Sequence, residues 1–449
     1  MNRTSALILA ERAVPRYTSY PTAPHFTDTV NGEVVRHWMA TLNPDASLSL
    51  YLHIPYCRDM CAYCGCATKA TKRDEPVEGY VATLIREIWQ AGAMTLAKSV
   101  RSIHWGGGTP SLVGPVRFAR IMAVLGDAFD LSNVVEHAVE LDPRVVTEEF
   151  IAAMAAHGVN RASLGVQDLN EHVQVAMGRV QPFALVADCV AHLRAHGIAA
   201  INFDLMYGLP QQSVVDVEKS ARLALSLNPS RIASFGYAHV PWMRSHQKMI
   251  DAASLPGAAE RLEQAEMAER AFIAAGYQAI GLDHFALPDD PLAVAARNGT
   301  MRRNFQGYVT DDADALIGFG ATSIGRLSRG YVQNYPDVGH WRRAVEKGEL
   351  PVARGLVFSV DDHARGAVIE RLMCDFSIDF GVIAVEHGRR ADYFDDAIDA
   401  LDALAAQGVL TRRDRMVTMS LKGRSFVRLA AACFDAYLEH NKARHSVAV

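Results

Sequence analysis

Four thiols crowd one short stretch of the chain. Cys57, Cys61, Cys64 and Cys66 stand in the run His53-Ile54-Pro55-Tyr56-Cys57-Arg58-Asp59-Met60-Cys61-Ala62-Tyr63-Cys64-Gly65-Cys66. The first three are spaced C-x3-C-x2-C. Three thiolates at that spacing can hold three irons of a [4Fe-4S] cluster and leave the fourth iron without a protein ligand. An open iron binds a substrate or cofactor directly, so the loop points to chemistry rather than electron storage alone. Other readings fit less well. A structural zinc site closes its tetrahedron with paired C-x2-4-C or Cys/His elements. Here only Cys61 and Cys64 make such a pair, and no second pair follows. Seven cysteines in 449 residues are too sparse, and odd in number, for a disulfide framework. Zinc and redox thiols stay open as alternatives. A single residue separates Cys64 from Cys66, which makes separate corners of one cluster awkward for both. Cys66 is therefore read as an active-site neighbour, not a ligand. Cys189, Cys374 and Cys433 lie in apolar helical stretches and read as small core residues.

Something must hold this loop open to a ligand, and the first half of the chain supplies it. Short β-branched or apolar runs recur at 48–56, 102–105, 137–141, 161–166, 200–206 and 231–238. Between them, 80–97, 115–129, 147–157, 182–196 and 214–227 carry helical apolar spacing. The repeat of roughly 30 residues is that of βαβ units on a parallel sheet. Such units form an open doubly wound sheet or most of a barrel. The polar groups favour the barrel. Cys57, Gly106-Gly107-Gly108, Glu140-Leu141-Asp142, Gln167, Asp204 and Tyr237-Ala238-His239 fall at or just after predicted strand ends. That rim is where barrel enzymes place their chemistry. A surface loop is expected near 68–78.

The pattern changes after about residue 350. Segments 360–374 and 394–406 read as helices, 408–419 as a hairpin and 422–437 as a final helix. Together they predict a separate helical, winged-helix-like unit. The expected division is 1–46, an N-terminal segment; 47–350, the barrel with flanking elements; and 351–449, the C-terminal helical domain.

Several motifs share the rim with the cysteines. Three glycines in His104-Trp105-Gly106-Gly107-Gly108-Thr109-Pro110 let backbone N–H groups approach a ligand, though a tight βα turn needs them as well. Glu140, Asp142, Gln167 and Asp204 can bond ribose hydroxyls or an ammonium, or simply cap and solvate loops. Arg16, Arg144, Arg179, Arg302 and Arg303 are candidate carboxylate partners, with surface ion pairing the common fate of such residues. Two further segments suit closure over a planar ligand: Arg302-Arg303-Asn304-Phe305-Gln306-Gly307-Tyr308 and the Gly/Ser/Thr-rich 318–325.

Composition sets the outer bounds. Half the residues are hydrophobic, enough for a sizeable core. The formal net charge of −5 gives no basic field for nucleic acid. No apolar run is long enough to span a bilayer. The N-terminal residues show no secretory h-region, and free thiols make the cytoplasm the expected compartment. No heptad seam predicts an obligate oligomer, so a monomer is expected.

The cysteine run resembles the cluster loop of the radical S-adenosylmethionine (SAM) enzymes. Within that group the chain is similar over nearly its full length to the oxygen-independent coproporphyrinogen III oxidases. The resemblance is carried by Pro15-Arg16-Tyr17-Thr18-Ser19-Tyr20-Pro21-Thr22-Ala23, the cluster loop with its extra Cys66, and 104–110. It continues through Gly165-Val166-Gln167-Asp168, Tyr207-Gly208-Leu209-Pro210, Tyr237-Ala238-His239, Asp283-His284-Phe285-Ala286, 303–308 and Leu421-Lys422-Gly423-Arg424.

The resemblance implies an α/β fold, a partial (β/α)6 TIM-like barrel with a C-terminal helical, winged-helix-like domain. It implies a [4Fe-4S] cluster on Cys57, Cys61 and Cys64, and two SAM molecules in one site. Tyr51, Gly107, Glu140 and Ile324 match positions that contact the cluster-bound molecule. Tyr63, Gly108, Thr109, Gln167, Arg179, Asp204 and Ala238 match positions that contact the second. Phe305 and Gln306 match residues near the site, and Arg16 and Tyr17 match a substrate-engaging segment. Tyr51, Glu140, Phe305, Gln306 and Ile324 are the positions expected to bear on catalysis. The implied reaction converts the ring A and B propionates of coproporphyrinogen III to vinyl groups, through a 5′-deoxyadenosyl radical. The product is protoporphyrinogen IX of haem and porphyrin biosynthesis. A flavodoxin- or ferredoxin-type electron donor is the expected partner. The rivals are a haem-binding chaperone and a radical methylase of the same superfamily. The chaperones typically lack a thiol at the Cys66 position and a segment like 16–23; this chain has both.

Overall fold

The structure, a computed structural model, describes residues 3–438. Its centre is a 12-stranded sheet. Six strands follow one another in chain order: β1 (Leu48–Ile54), β2 (Val100–Gly107), β3 (Glu136–Leu141), β4 (Arg161–Gln167), β5 (Ala200–Tyr207) and β6 (Arg231–Gly236). All neighbouring pairs are parallel. The helices Glu75–Met94, Gly114–Ala128, Glu148–Ala156, Phe183–Ala195 and Val214–Ser226 return the chain between them, and Ala258–Ala274 follows β6. This is the partial (β/α)6 barrel with its α/β alternation.

Two edges extend it. Beyond β6 lie β7 (Gln278–Ile280) and β8 (His284–Ala286), both antiparallel. On the other side β9 (Ala315–Phe319) runs parallel to β1. It is followed by antiparallel β10 (Ile324–Leu327), β11 (Gly330–Asn334) and β12 (Val352–Val357). The full order is β12-β11-β10-β9-β1-β2-β3-β4-β5-β6-β8-β7.

The strands are buried on their helix-facing side by Leu50, Leu52, Ile103, Trp105, Leu164 and Phe203. Burial from both faces is the rule for parallel strands. The register lines up the residues of the opposite face. Tyr51 pairs His104, Glu140 pairs Ser163, and Gly165 pairs Asp204. The alternation of side chains along each strand thus turns Tyr51, His53, Glu140, Ser163 and Asp204 toward the barrel interior. Asp204 lies in the middle of β5, not at its end as the sequence pattern suggested.

A second core joins both ends of the described chain. Leu9, Tyr17 and Tyr20 pack with Val368, Leu372, Phe380, Leu401 and Phe434. The helices Val360–Asp375, Phe380–Glu386 and Ile398–Ala406 form its frame. Strands Ser377–Asp379, Leu410–Arg413 and Met416–Met419 make the wing. The strand β12, residues 352–357, belongs to the main sheet.

Three element boundaries differ most from the sequence pattern. The first long helix starts at Glu75, five residues before Tyr80, because Pro76 fits the first turn of a helix, whose N–H groups have no intrahelical acceptor. The segment 394–406 opens with a 3-10 turn, Asp395–Ala397, before Ile398–Ala406. The final segment is not one helix over 422–437. It is a 3-10 run, Leu421–Phe426, then Val427–Ala432. Within the 3-10 run, a Cβ on Gly423 would strike the Val409 carbonyl oxygen, so the backbone seats directly against the start of the wing.

Candidate active site

The cysteine loop leaves the end of β1 and is pinned before it reaches its second thiol. Tyr56–Cys57 pairs in parallel with Lys69–Ala70, and the Thr71 N–H donates to the Cys57 carbonyl at 2.8 Å. Thr68 Oγ1 lies 3.2 Å from Cys57 Sγ. Cys61 is buried beneath two guanidinium groups, Arg144 Nη2 at 3.5 Å and Arg179 Nη1 at 3.7 Å from its sulfur. At Cys64, the Cys66 N–H donates to the sulfur at 3.4 Å. The Cys66 thiol also bonds Cys64 and, with nearby cations, outweighs burial to hold the Cys64 thiol down at about 6. Burial raises Cys57, and the charges of Cys64 and Cys61 add to that, so the three thiols lie within electrostatic reach of one another.

Among the described residues, no three His, Cys, Asp or Glu side chains gather tightly enough for a single ion. Three soft sulfur donors spread along one loop, one of them beside two arginines, are a donor set suited to a bridging iron–sulfur cluster.

Asp142 organises the two arginines. It accepts from Arg179 Nη1 and Nη2, both at 3.1 Å. It also accepts from Arg144 Nε at 3.0 Å and Nη2 at 2.6 Å. Burial pushes the Asp142 carboxyl up, but the hydrogen bonds and charges of Arg144 and Arg179 win and hold it low. Arg179 Nη2 also donates to the Gly165 carbonyl at 2.7 Å. Gln167 follows with φ +67°, a left-handed turn that ends β4.

Inside the barrel the glycine loop packs against catalytic-type side chains. The Gly107 N–H donates to Glu140 Oε2 at 3.3 Å, and His104 Nε2 lies 3.1 Å from Glu140 Oε1. A Cβ on Gly106 would come within 2.9 Å of that carboxylate, on Gly107 within 2.5 Å of the His53 ring, and on Gly108 within 2.6 Å of the Tyr56 carbonyl. The glycines are thus required by the packing of this site itself. His53 Nε2 donates to the Ala67 carbonyl at 3.0 Å, which leaves Nδ1 to accept from the Tyr51 hydroxyl at 3.0 Å. Burial lowers the His53 pKa, in keeping with that neutral ring.

Two half-buried carboxyls face the interior. Burial raises Glu140, yet His104 and the Gly107 N–H more than offset it. Asp204 is bonded by Ser163 Oγ at 3.3 Å. Burial, and then the charge of Glu140, push Asp204 up to about 7. Two carboxyls that repel one another in a half-buried mouth are relieved by a cationic ligand. An amine or sulfonium group fits that need, whereas a neutral hydroxyl only donates a hydrogen bond.

The remaining sequence candidates divide. Arg16, Ala238, Phe305 and Gln306 line a cavity of about 550 Å³ at the barrel mouth. Tyr63 and Thr109 lie in the cysteine loop and the glycine loop; Thr109 is fully buried. Ile324 opens β10 and packs near Phe305 and Tyr331. Tyr17 faces away from that cavity. Its ring is in the second core and its hydroxyl donates to Asp435 at 3.0 Å. Arg302 forms a surface pair with Glu370 at 3.8 Å. Arg303 instead donates to the Tyr17 and Arg16 carbonyls at 3.1 and 3.2 Å.

Sequence reasoning missed His246 and Gln247. His246 Nε2 donates to the Cys64 carbonyl at 2.6 Å and Gln247 Nε2 to the Tyr63 carbonyl at 2.8 Å. Gln247 Nε2 also reaches the Ala238 carbonyl at 3.4 Å. Nothing in their spacing announces this. His53 stood within the quoted cysteine run and His104 beside the glycines, where pairing with a rim carboxylate was open to inference.

Residues 51–224 match the radical SAM superfamily. The chain is 44% identical to an oxygen-independent coproporphyrinogen III oxidase of Bradyrhizobium diazoefficiens, over 100% of both chains. It is 41% identical to that of Paracoccus denitrificans, over 98% of each. Its fold matches the solved coproporphyrinogen III oxidase (HemN) from Escherichia coli, a radical SAM enzyme. The TM-score is 0.90 at 33% identity, covering 95% of this chain and 100% of that one. With thiol loop, barrel and full-length similarity in agreement, the chain belongs to the oxygen-independent coproporphyrinogen III oxidase family of the radical SAM superfamily.

Proposed function

We propose that the chain oxidatively decarboxylates the ring A and B propionates of coproporphyrinogen III to vinyl groups without oxygen, giving protoporphyrinogen IX. One observation carries this reading. Gln247 bridges the carbonyls of Tyr63 and Ala238, and its neighbour His246 holds that of Cys64, so the thiol loop is fastened to the wall of the 550 Å³ cavity. Each propionate loses one hydrogen atom from its β-carbon to the SAM-derived radical, and then CO2 and one electron, which a one-electron acceptor takes up.

Cys57, Cys61 and Cys64 would hold the [4Fe-4S] cluster. Tyr51, Gly107, Glu140 and Ile324 would hold one SAM, and Tyr63, Gly108, Thr109, Gln167, Arg179, Asp204 and Ala238 a second. When bound, cluster and SAM supply the radical that removes the β-hydrogen. The chain's own residues do the positioning. Glu140, fixed by His104 and the Gly107 N–H, presents a carboxylate to a ligand amine. Arg144 and Arg179, fixed by Asp142, offset negative charge at Cys61. Arg16, Phe305 and Gln306 border the substrate, with Tyr17 anchoring the segment that carries Arg16.

The division into an N-terminal segment, barrel and C-terminal helical unit is part of this reading. So are a flavodoxin- or ferredoxin-type electron donor, a monomeric state and a cytoplasmic location. All seven cysteines are free, which suits a reducing compartment. Among the described residues no helix is long and apolar enough to cross a membrane.

Anaerobic turnover tests the function. Reconstituted protein given coproporphyrinogen III, SAM and a reductant should release two CO2 per vinyl-bearing product. Cys57→Ser should lose the cluster absorbance and bring product to background. Full turnover by that variant would sink the ligand assignment.

A further inference from the structure

Cys61 differs from its neighbours in having cations against its sulfur. Arg144 Nη2 lies 3.5 Å and Arg179 Nη1 3.7 Å from Cys61 Sγ. The sulfurs of Cys57 and Cys64 have neutral contacts instead, Thr68 Oγ1 and the Cys66 N–H. His246 and Arg244 act on Cys64 by charge alone. A single carboxylate, Asp142, serves both guanidinium groups at Cys61, so two cations and one anion leave a net positive charge beside the sulfur. The side chains of Arg144, Arg179 and Asp142 are 18%, 6% and 10% exposed, so water screens that charge weakly.

The two arginines are held differently. Arg179 Nη2 also donates to the Gly165 carbonyl at 2.7 Å and to Gln181 Oε1 at 3.2 Å. The rim therefore fixes it independently of Cys61. The Arg144 side chain is given to Asp142 and Cys61. Its backbone N–H donates to the same carboxylate at 3.0 Å, a tight turn after β3 that aims the guanidinium at the thiol loop. Burial pulls Arg144 down, but the hydrogen bond and charge of Asp142, then the charge of Cys61, more than offset it, so it stays a cation. Hydrogen bonds and charge at the ligating sulfurs set the reduction potential of an iron–sulfur cluster. On three thiolates an oxidised [4Fe-4S] cluster is already an anion, and reduction adds another negative charge. A fixed cation at one thiolate therefore stabilises the reduced state more than the oxidised one.

We propose that Arg144 sets the reduction potential of the cluster: held at Cys61 by Asp142, its charge makes the cluster easier to reduce by one electron; the proposal rests on the cluster assignment given above. Arg144 is a positioning residue that acts through Cys61. No bond of the protein forms or breaks, and the electron comes from the external reductant.

Potentiometric titration of the reconstituted chain with dithionite, without SAM or substrate, tests this. The midpoint is read from the electron paramagnetic resonance signal of the reduced cluster. Arg144→Gln should make reduction about tenfold harder, a midpoint about 59 mV more negative for one electron. Arg144→Met should match it, because the same charge is lost. Arg144→Lys keeps the charge and should stay close to wild type. Wild-type midpoints in both neutral variants would overturn the proposal, and so would a Lys variant shifted as far as they are. Should Arg144→Gln take up no iron, Arg144→Met against Arg144→Lys decides the matter. Failure of all three to take up iron would also overturn it, since Arg144 would then hold the cluster rather than tune it. A wild-type chain that takes up no cluster sinks the cluster assignment and this proposal together. Shifted midpoints without vinyl product from the wild-type chain overturn the oxidase function and keep the proposal. Vinyl product with unshifted midpoints overturns the proposal alone.

Discussion

Asp204 shows how one side chain couples the barrel interior to pH. It sits in mid-β5 with a Ser163 hydroxyl as its hydrogen-bond donor, and burial beside Glu140 raises it to about 7. A cationic ligand favours the ionised form. SAM binding should therefore be about tenfold weaker at pH 6 than at pH 8, since one proton must leave. Asp204→Asn should flatten that dependence, measured by equilibrium dialysis of SAM against reconstituted protein. The sign for the ligand-free chain is opposite. The folded state keeps a proton that the unfolded state releases, so this group's stabilising contribution, present in full below about pH 4, is lost as pH rises through about 7. Ligand-free Asp204→Asn should thus melt higher than wild type at pH 8 and not at pH 4.

At the scale of elements, Glu87 staples the first long helix to the far half of the sheet. Its carboxylate accepts from the Gly320 N–H at 2.7 Å, Asn334 Nδ2 at 2.6 Å and Trp341 Nε1 at 3.0 Å. Burial raises Glu87 to about 7 despite those bonds. Glu87→Gln removes the charge but turns an NH2 group toward a donor. It should lower the melting temperature at pH 7 and abolish this group's pH dependence between about 4.5 and 7. Gly108→Ala acts on the thiol loop, because its Cβ would strike the Tyr56 carbonyl at 2.6 Å. Iron content after reconstitution should fall while circular dichroism stays near wild type. The six βα units were legible because each strand and helix carries its own period, and strand ends fell within about two residues of expectation. Strands β9 to β12 were not: they are short, and the place of the whole group is set by β9, which pairs with β1 some 270 residues away in sequence. His246 and Gln247 escaped for the same reason. Their convergence is tertiary and leaves no local spacing, whereas the three cysteines sit in one loop.

On the scale of the whole molecule, the N-terminal segment is the clasp between barrel and helical unit. Arg303 of the barrel region donates to the Arg16 and Tyr17 carbonyls. From the other side, Arg428 donates to the Val14 carbonyl, and Tyr17 Oη donates to Asp435 Oδ2 at 3.0 Å. The Ala436 N–H donates to Tyr20 Oη at 3.1 Å. Leu9, Tyr17 and Tyr20 bury their side chains in the second core, so the clasp is hydrophobic as well as polar. Burial, then the charge of Asp435, raise the Tyr17 hydroxyl well above its ordinary range, so it remains a donor at every working pH. Tyr17→Phe leaves the ring in place and strips one charge-assisted bond, a loss of about 1.5–3 kcal/mol. Deleting residues 1–21 strips the apolar face too and uncovers the helix Val360–Asp375. Hydrogen exchange should then accelerate in that helix and the wing while β1 to β5 keep their protection, because their core is built from other residues. Uniform loss of protection across both cores would show that the clasp holds the entire fold. Unchanged protection in the Val360–Asp375 helix would show that it holds neither unit.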